Sequence, residues 1–239
     1  MNLQLLYHPL ASFCWKVQIA LYEIGTPFEA LLLDLGDPRD SEELRSLWPL
    51  RKFPVLRDRE RDQVVPETSI IIEYLDRHYA GTRPMIPRDP ELALQERLWD
   101  RLFDFYVQLP MQKIVGDGMR PEGHRDAVGV SEARSMLHTL YCMLEKDLGA
   151  SGWVGGSDFG MADCAAAPAL FYAGTLESFE ERYPRVAAYF DRLSDRPSVV
   201  RTIKEAQPYF HMYPGSAAIP ARFLSATAVS FSRTAGAGF

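Results

Sequence analysis

Cysteine is scarce. The 239-residue chain has three, Cys14, Cys142 and Cys164, widely spaced and with no CxxC pair. An odd, scattered count excludes a disulfide framework and gives no thiolate set for zinc. The five histidines (His8, His78, His124, His138, His211) include no HxxxH pair, so no metal is expected. No apolar run approaches the ~18 residues of a membrane span. No block of Lys or Arg interrupts a formal net charge of −6, which disfavours nucleic acid and anionic membranes as partners. A small anionic ligand stays compatible, because neighbouring residues rather than the total decide that. The opening MNLQLLYHPL reads as a strand, without the basic start and long apolar stretch of a signal peptide, so a reducing cytoplasm is expected.

Hydrophobic residues make up 47% and charged residues 24%, the balance of a globular protein, and the length suggests two domains. The first 80 residues alternate in type. Leu3, Leu5 and Leu6 form a short strand ending at His8-Pro9, and Val17, Ala20, Leu21 and Ile24 recur at helical spacing before Gly25. Phe28 to Leu33 predicts a buried strand, and Ser41 to Leu47 a weak helix starting near Asp40 or Ser41. Pro54-Val55-Leu56 and Gln63-Val64-Val65 flank the charged turn Asp58–Asp62 as a hairpin, and Ile71, Tyr74, Leu75 and Tyr79 define a further helix. The order is β-α-β-α-β-β-α.

The Pro-rich stretch GTRPMIPRDP reads as a connection, giving domains at 1–80 and 89–207 around a linker at 81–88. Beyond it the period is helical. Leu94, Leu98, Leu102, Phe105 and Leu109 form one stripe; Ala133, Leu137, Leu140, Leu144 and Leu148 form another. Ala162 to Ala173 is apolar on every side, as in a helix central to a bundle. Val186, Phe190 and Leu193 mark another helix, and Val199, Val200 and Ile203 a last one. Residues 208–239 are aperiodic but carry Tyr209, Phe210, Tyr213, Phe223, Phe231 and Phe239, so this tail is expected against the body.

Two segments suggest chemistry. In Trp48-Pro49-Leu50-Arg51-Lys52-Phe53-Pro54-Val55-Leu56, Pro54 stands at a strand start. It holds either a cis bond that turns the Val55 N–H and C=O towards a peptide ligand, or the commoner trans bond that merely begins a strand. Pro66-Glu67-Thr68-Ser69-Ile70 then opens a helix. Its first N–H groups and hydroxyl suit a carboxylate and Glu67 an ammonium, unless Thr68 or Ser69 simply caps the helix.

Phe53-Pro54-Val55-Leu56, Glu67-Thr68 and the helix ending Tyr74-Leu75 resemble the "V-P-x-L … E-S … I-x-x-Y-L" signature of soluble glutathione transferases. Trp48 to Lys52 is similar to the preceding N-P-x-G-K/Q stretch, with Trp48 in place of Asn and Arg51 in place of Gly. The likeness covers roughly residues 1–206. It implies a thioredoxin-like N-terminal domain, an all-helical C-terminal domain, glutathione as co-substrate and a homodimer. It further implies that the Val55 backbone meets the cysteinyl part of glutathione. Glu67 and Thr68 would take the γ-glutamyl head, and Lys52 the glycine carboxylate or the γ-glutamyl edge; Phe53 and Pro54 complete the segment. Ser157 to Asp163 resembles the family's capped buried helix, usually S/T-x-A-D, with Gly160 replacing the hydroxyl and Asp163 reaching back to backbone N–H groups.

Such an enzyme must ionise the glutathione thiol, which a donor at the start of the first helix favours. Ala11 to Val17 resembles the zeta-class S-S-C-S-W-R-V, with Ala11 on the first Ser, Ser12 on the second and Phe13 on the Cys. Ser12, placed as an N-cap, is the first candidate for the thiolate-stabilising group. Cys14 is either a redox nucleophile or a small buried side chain, and Tyr7 either a strand-end donor or packing. Tyr106, Met111, Met119 and Tyr172 either line an acceptor pocket or belong to the core. Conjugation to a hydrophobic electrophile leads the readings. A glutathione-dependent isomerase or thiol reductase, and a non-catalytic binding protein, are the alternatives on the same scaffold.

Overall fold

The computed structural model describes residues 2–34, 36–79, 81, 83–149 and 152–224. The first half runs β1 (Leu3–Tyr7), α1 (Ser12–Ile24), β2 (Glu29–Leu32), α2 (Pro38–Leu47), β3 (Val55–Asp58), β4 (Gln63–Pro66) and α3 (Thr68–His78). The sheet order is β2-β1-β3-β4, with β1 parallel to β2 and antiparallel to β3. The fold is thioredoxin-like. Leu3, Leu5, Leu56 and Val65 pack towards α1 and α3, while Leu6 and Val55 form a smaller core with Leu33 and Leu44 of the α2 side. Gly25 closes α1 in the left-handed region (φ 75°), which a glycine adopts without a Cβ penalty.

Two expectations are corrected here. β2 is an edge strand with three of its four residues exposed, not a buried one, because among the strands β1 alone pairs with it. α2 begins at Pro38 because Asp37 accepts the Arg39 N–H as N-cap and proline suits the first turn.

The second half is all helix: α4 (Pro90–Phe103), a π turn (Asp104–Gln108), α5 (Leu109–Gly118), α6 (Ala127–Asp147), α7 (Met161–Gly174), α8 (Pro184–Ser194) and α9 (Pro197–Ala206). Pro110 lacks an N–H and crowds the carbonyl four residues back; the wide turn just before it absorbs that conflict. α7 is buried over Met161–Ala173 and packs against α1, where Trp15 lies 4.8 Å from Phe171 and 5.2 Å from Tyr172, ring centre to ring centre. Both halves therefore share one apolar core. Phe210, Tyr213 and Phe223 of the tail are buried against it; Phe231 and Phe239 lie outside the described residues.

Most of the stripe read from the sequence faces outward; only Leu102 packs against the core. Leu94, Leu98, Phe105 and Leu109 are 59, 50, 49 and 46% exposed, whereas Ala93, Glu96, Trp99, Asp100 and Phe103 face the core. The acidic side chains go inward because partners await them there. Lys16 of α1, fully buried, donates to Asp104 Oδ2 (2.7 Å) and Ser69 Oγ (2.9 Å) and pairs with Asp100 Oδ1 (2.6 Å). Burial of such charges is tolerated only when they are paired and hydrogen-bonded.

Candidate functional site

The sheet's β3 end, the starts of α1 and α3 and the α4–α5 wall enclose a cleft of about 500 Å³. One wall carries Trp48, Arg51, Lys52, Phe53, Pro54, Glu67 and Thr68; the other carries Arg101, Asp104, Phe105, Leu109 and Gln112, with Ala11 and Phe13 between. The sequence segments singled out above thus converge, and the second wall is built from other residues of the helical half than those expected.

Local backbone explains the convergence. The Phe53–Pro54 bond is cis. Val55, buried, sits at the register where β3 pairs with Leu6 and Pro66, and Pro66 has no N–H to give the Val55 carbonyl. Arg51 keeps a left-handed φ of 54° where the resembled motif has glycine, so the turn persists without it. Glu67, at φ 67° and ψ 117°, caps α3 through its carbonyl to Ile71 N and makes no side-chain cap bond. Glu67 is one of the residues that line the cleft. Strain of this kind gathers at ligand sites. The Thr68 and Ser69 N–H groups, first in α3, have no acceptor among the described residues.

At α1 the expectation changes. The N-cap is Ala11, and Ser12 is the first helical residue, 4% exposed and not among the cleft-lining side chains. An N-cap hydroxyl at Ser12 is therefore not what the structure has. Ala11 and Phe13 face the cleft there, and neither the Ser12 nor the Phe13 N–H finds an acceptor among the described residues. Cys14 is fully buried and accepts the His8 N–H at 3.5 Å; burial pushes its thiol up, the wrong direction for a nucleophile. Tyr7 also lies outside the cleft, its hydroxyl pushed up to about 12 by burial first and then by Glu205. Of the acceptor-pocket candidates, Met111 and Tyr172 are core, and Tyr106 and Met119 are exposed and not among the cleft-lining residues. Phe105, Leu109 and Gln112 take that wall. A helical period finds apolar faces but does not tell which face a π turn swings into an interdomain groove.

Comparison with known proteins places this geometry. The Glutathione S-transferase N-terminal domain profile matches residues 6–83, and the Glutathione S-transferase C-terminal domain profile matches residues 127–192. Glutathione S-transferase U7 of Arabidopsis thaliana is 30% identical over 191 residues, covering 77% of this chain and 78% of its own. The chain belongs to the glutathione S-transferase family. Glutathione S-transferase GstB of Escherichia coli is 25% identical over 79% of this chain and 91% of its own. A glutathione S-transferase of Methylobacillus flagellatus, crystallised with glutathione bound, superposes with a TM-score of 0.76 at 26% identity, covering 84% of this chain and 98% of that one. The protein is thus of the transferase enzyme class, with its cleft at the junction of the two halves.

The helix behind the cleft is secured separately. Asp163, fully buried, accepts the Gly160 N–H (2.9 Å), the Val154 N–H (3.1 Å) and the Tyr189 hydroxyl. This is the reach-back anticipated for Asp163. Burial raises its carboxyl to about 6 despite those donors. Glu96 of α4 adds a second acceptor, taking the Ala162 N–H at 2.6 Å, with its carboxyl raised by burial to about 8. Gly160 is glycine for a steric reason: a Cβ there would sit 2.7 Å from the Glu96 carboxyl carbon and 3.0 Å from the Met85 carbonyl. Among the described residues no cluster of His, Cys, Asp and Glu could hold a metal, and no helix is long and apolar enough to cross a membrane.

Proposed function

We propose that this transferase binds glutathione in the cleft and adds its sulfur to a hydrophobic electrophile. The observation that carries the reading is the single wall formed by Lys52, Phe53–Pro54, Glu67 and Thr68, whose charges complement a γ-glutamyl tripeptide. Thr68 and the start of α3 suit the head-group carboxylate, Glu67 its ammonium, Val55 the cysteinyl backbone and Lys52 the glycine carboxylate. The sulfur then lies towards the start of α1. There the Ser12 and Phe13 N–H groups and the helix dipole favour the thiolate over the thiol. The thiol proton leaves to solvent, the sulfur–carbon bond forms, and the displaced electron pair goes to the leaving group or into the conjugated acceptor. Phe13, Phe105 and Leu109 supply an apolar surface for that acceptor. Residues 1–80 form the glutathione-binding domain in this reading and 89–207 the helical one, joined by 81–88. A detoxifying role in the cytoplasm is the setting proposed.

Titration calorimetry with glutathione tests the site. Glu67→Ala and Thr68→Ala should each weaken binding by about 1–3 kcal/mol, the loss of one charge-assisted partner; full affinity in both variants would move the ligand elsewhere. The reductase alternative needs a reachable thiol, and no cysteine lines the cleft. The binding-protein alternative is favoured by one observation, the missing side-chain donor at Ala11, and inactivity of the wild type on a broad panel of electrophiles would select it.

We also propose a homodimer. Leu94 and Leu98 of α4 and Ile70 of α3 are exposed apolar side chains, the kind a symmetric partner would cover. A monomeric mass by light scattering at micromolar concentration would exclude it.

A further inference from the structure

Arg101 stands on the α4 wall, 41% exposed, and sequence reasoning gave it no role. One edge of its guanidinium is spent internally. Nε donates to Asp100 Oδ2 (3.1 Å), and Nη2 donates to Asp100 Oδ2 (2.7 Å), to Asp104 Oδ2 (2.7 Å) and to Ser69 Oγ. Ser69 Oγ in turn donates to Asp100 Oδ2 at 2.6 Å. The Cζ atom rests 5.2 Å from the centre of the Phe105 ring, which also lines the cleft. Nη1 makes no hydrogen bond to the described residues.

The cluster is a fixed mount. Two cations, Lys16 and Arg101, offset two anions, Asp100 and Asp104, so the group is neutral and its outer donor is directional rather than a loose surface charge. Ser69 ties that mount to the first turn of α3, one residue from Thr68. Arg101 and the α3 start therefore approach one corner of the cleft from opposite walls, with Glu67 beside them.

We propose that Arg101 is a specificity-determining residue, its Nη1 edge recognising the α-carboxylate of a γ-glutamyl head group opposite Thr68. This rests on the reading that the cleft binds glutathione. Arg101 adds to it a clamp from the helical half, so that head-group recognition requires both halves of the chain. A lysine cannot replace it. One nitrogen held by Asp100 and Asp104 leaves no second edge to offer, whereas the guanidinium fork has both.

The test is titration calorimetry of the full-length protein with two probes: glutathione, and 4-aminobutyryl-cysteinyl-glycine, which is glutathione without that α-carboxylate. Arg101→Lys, which keeps the charge of the buried cluster, should lose about 30-fold in affinity for glutathione and less than about threefold for the analogue. Arg101→Gln is the second variant, and a thermal melt of each verifies folding. Equal losses for both probes would make Arg101 merely structural and overturn the assignment, as would undiminished glutathione affinity in both variants. If the wild type binds glutathione and Thr68→Ala weakens it while Arg101→Lys does not, only the Arg101 assignment falls. If the wild type binds neither probe, the glutathione site falls with it.

Discussion

Two helix N-termini in this protein are treated in opposite ways. At α7 three N–H groups are taken up from inside the chain: Asp163 accepts from Gly160, the Met85 carbonyl from Met161, and Glu96 crosses from α4 to Ala162. At α1 the cap is Ala11, with no side-chain acceptor, and the Ser12 and Phe13 N–H groups find no acceptor among the described residues. The first arrangement spends the donors on folding. The second leaves them, with the positive end of the dipole, beside a cleft. Buried polar groups need partners, so unspent donors next to an open groove mark where a ligand's negative charge belongs.

The comparison is most exposed at Asp163. Asp163→Ala removes one carboxylate from three donors in a fully buried place, and should destabilise the fold by about 3–5 kcal/mol in urea unfolding. A loss below about 1 kcal/mol would mean that α7 does not depend on internal capping.

Glu96 sharpens the same point through pH. Folding raises its carboxyl from 4.5 to about 8 through burial, so the folded chain holds this proton across that window. Stability is then highest where the group is protonated in both states and falls as pH rises towards 8, by at most about 1.4 kcal/mol per pH unit. Asp163 acts in the same direction but only up to about 6. Glu96→Gln, whose amide oxygen still accepts the Ala162 N–H, should therefore flatten the stability profile between about pH 6 and 8. An unchanged slope there would show that Glu96 does not carry the proton.

The smallest effects are expected at α1. Ala11→Ser adds a hydroxyl whose O–H faces the cleft and can donate to the sulfur; turnover should rise about tenfold. Ser12→Ala, behind the wall, should change turnover less than about threefold. A large loss in Ser12→Ala with no gain in Ala11→Ser would return the thiolate to the Ser12 hydroxyl and remove the contrast between the two termini.

Legibility in the sequence followed the range of the interactions. The β-α-β-α-β-β-α order, the stop at Gly25, the hairpin around Asp58–Asp62 and the wholly buried α7 all rest on local period or turn chemistry. So does the sheet-side wall of the cleft: Phe53-Pro54 and Glu67-Thr68 are short contiguous segments at the ends of strands and helices, and these meet because β3 and β4 pair. The α4 face was misread for the opposite reason. A leucine stripe is the normal sign of a core face, but here Glu96, Asp100 and Asp104 turn inward to the Ala162 N–H, Lys16 and Arg101. Those partners lie up to 88 residues away in sequence. Ser12 was displaced by one residue, since helix onset depends on backbone angles and not on where a hydroxyl stands in the sequence. The sequence by itself determined the element order, the sheet-side residues of the cleft and the reach-back of Asp163. Tertiary structure alone decided which face of α4 is core, that Ala11 and Phe13 rather than Ser12 and Cys14 meet the cleft, and that Arg101 closes it, because each depends on the meeting of distant charges and on where a π turn points the chain.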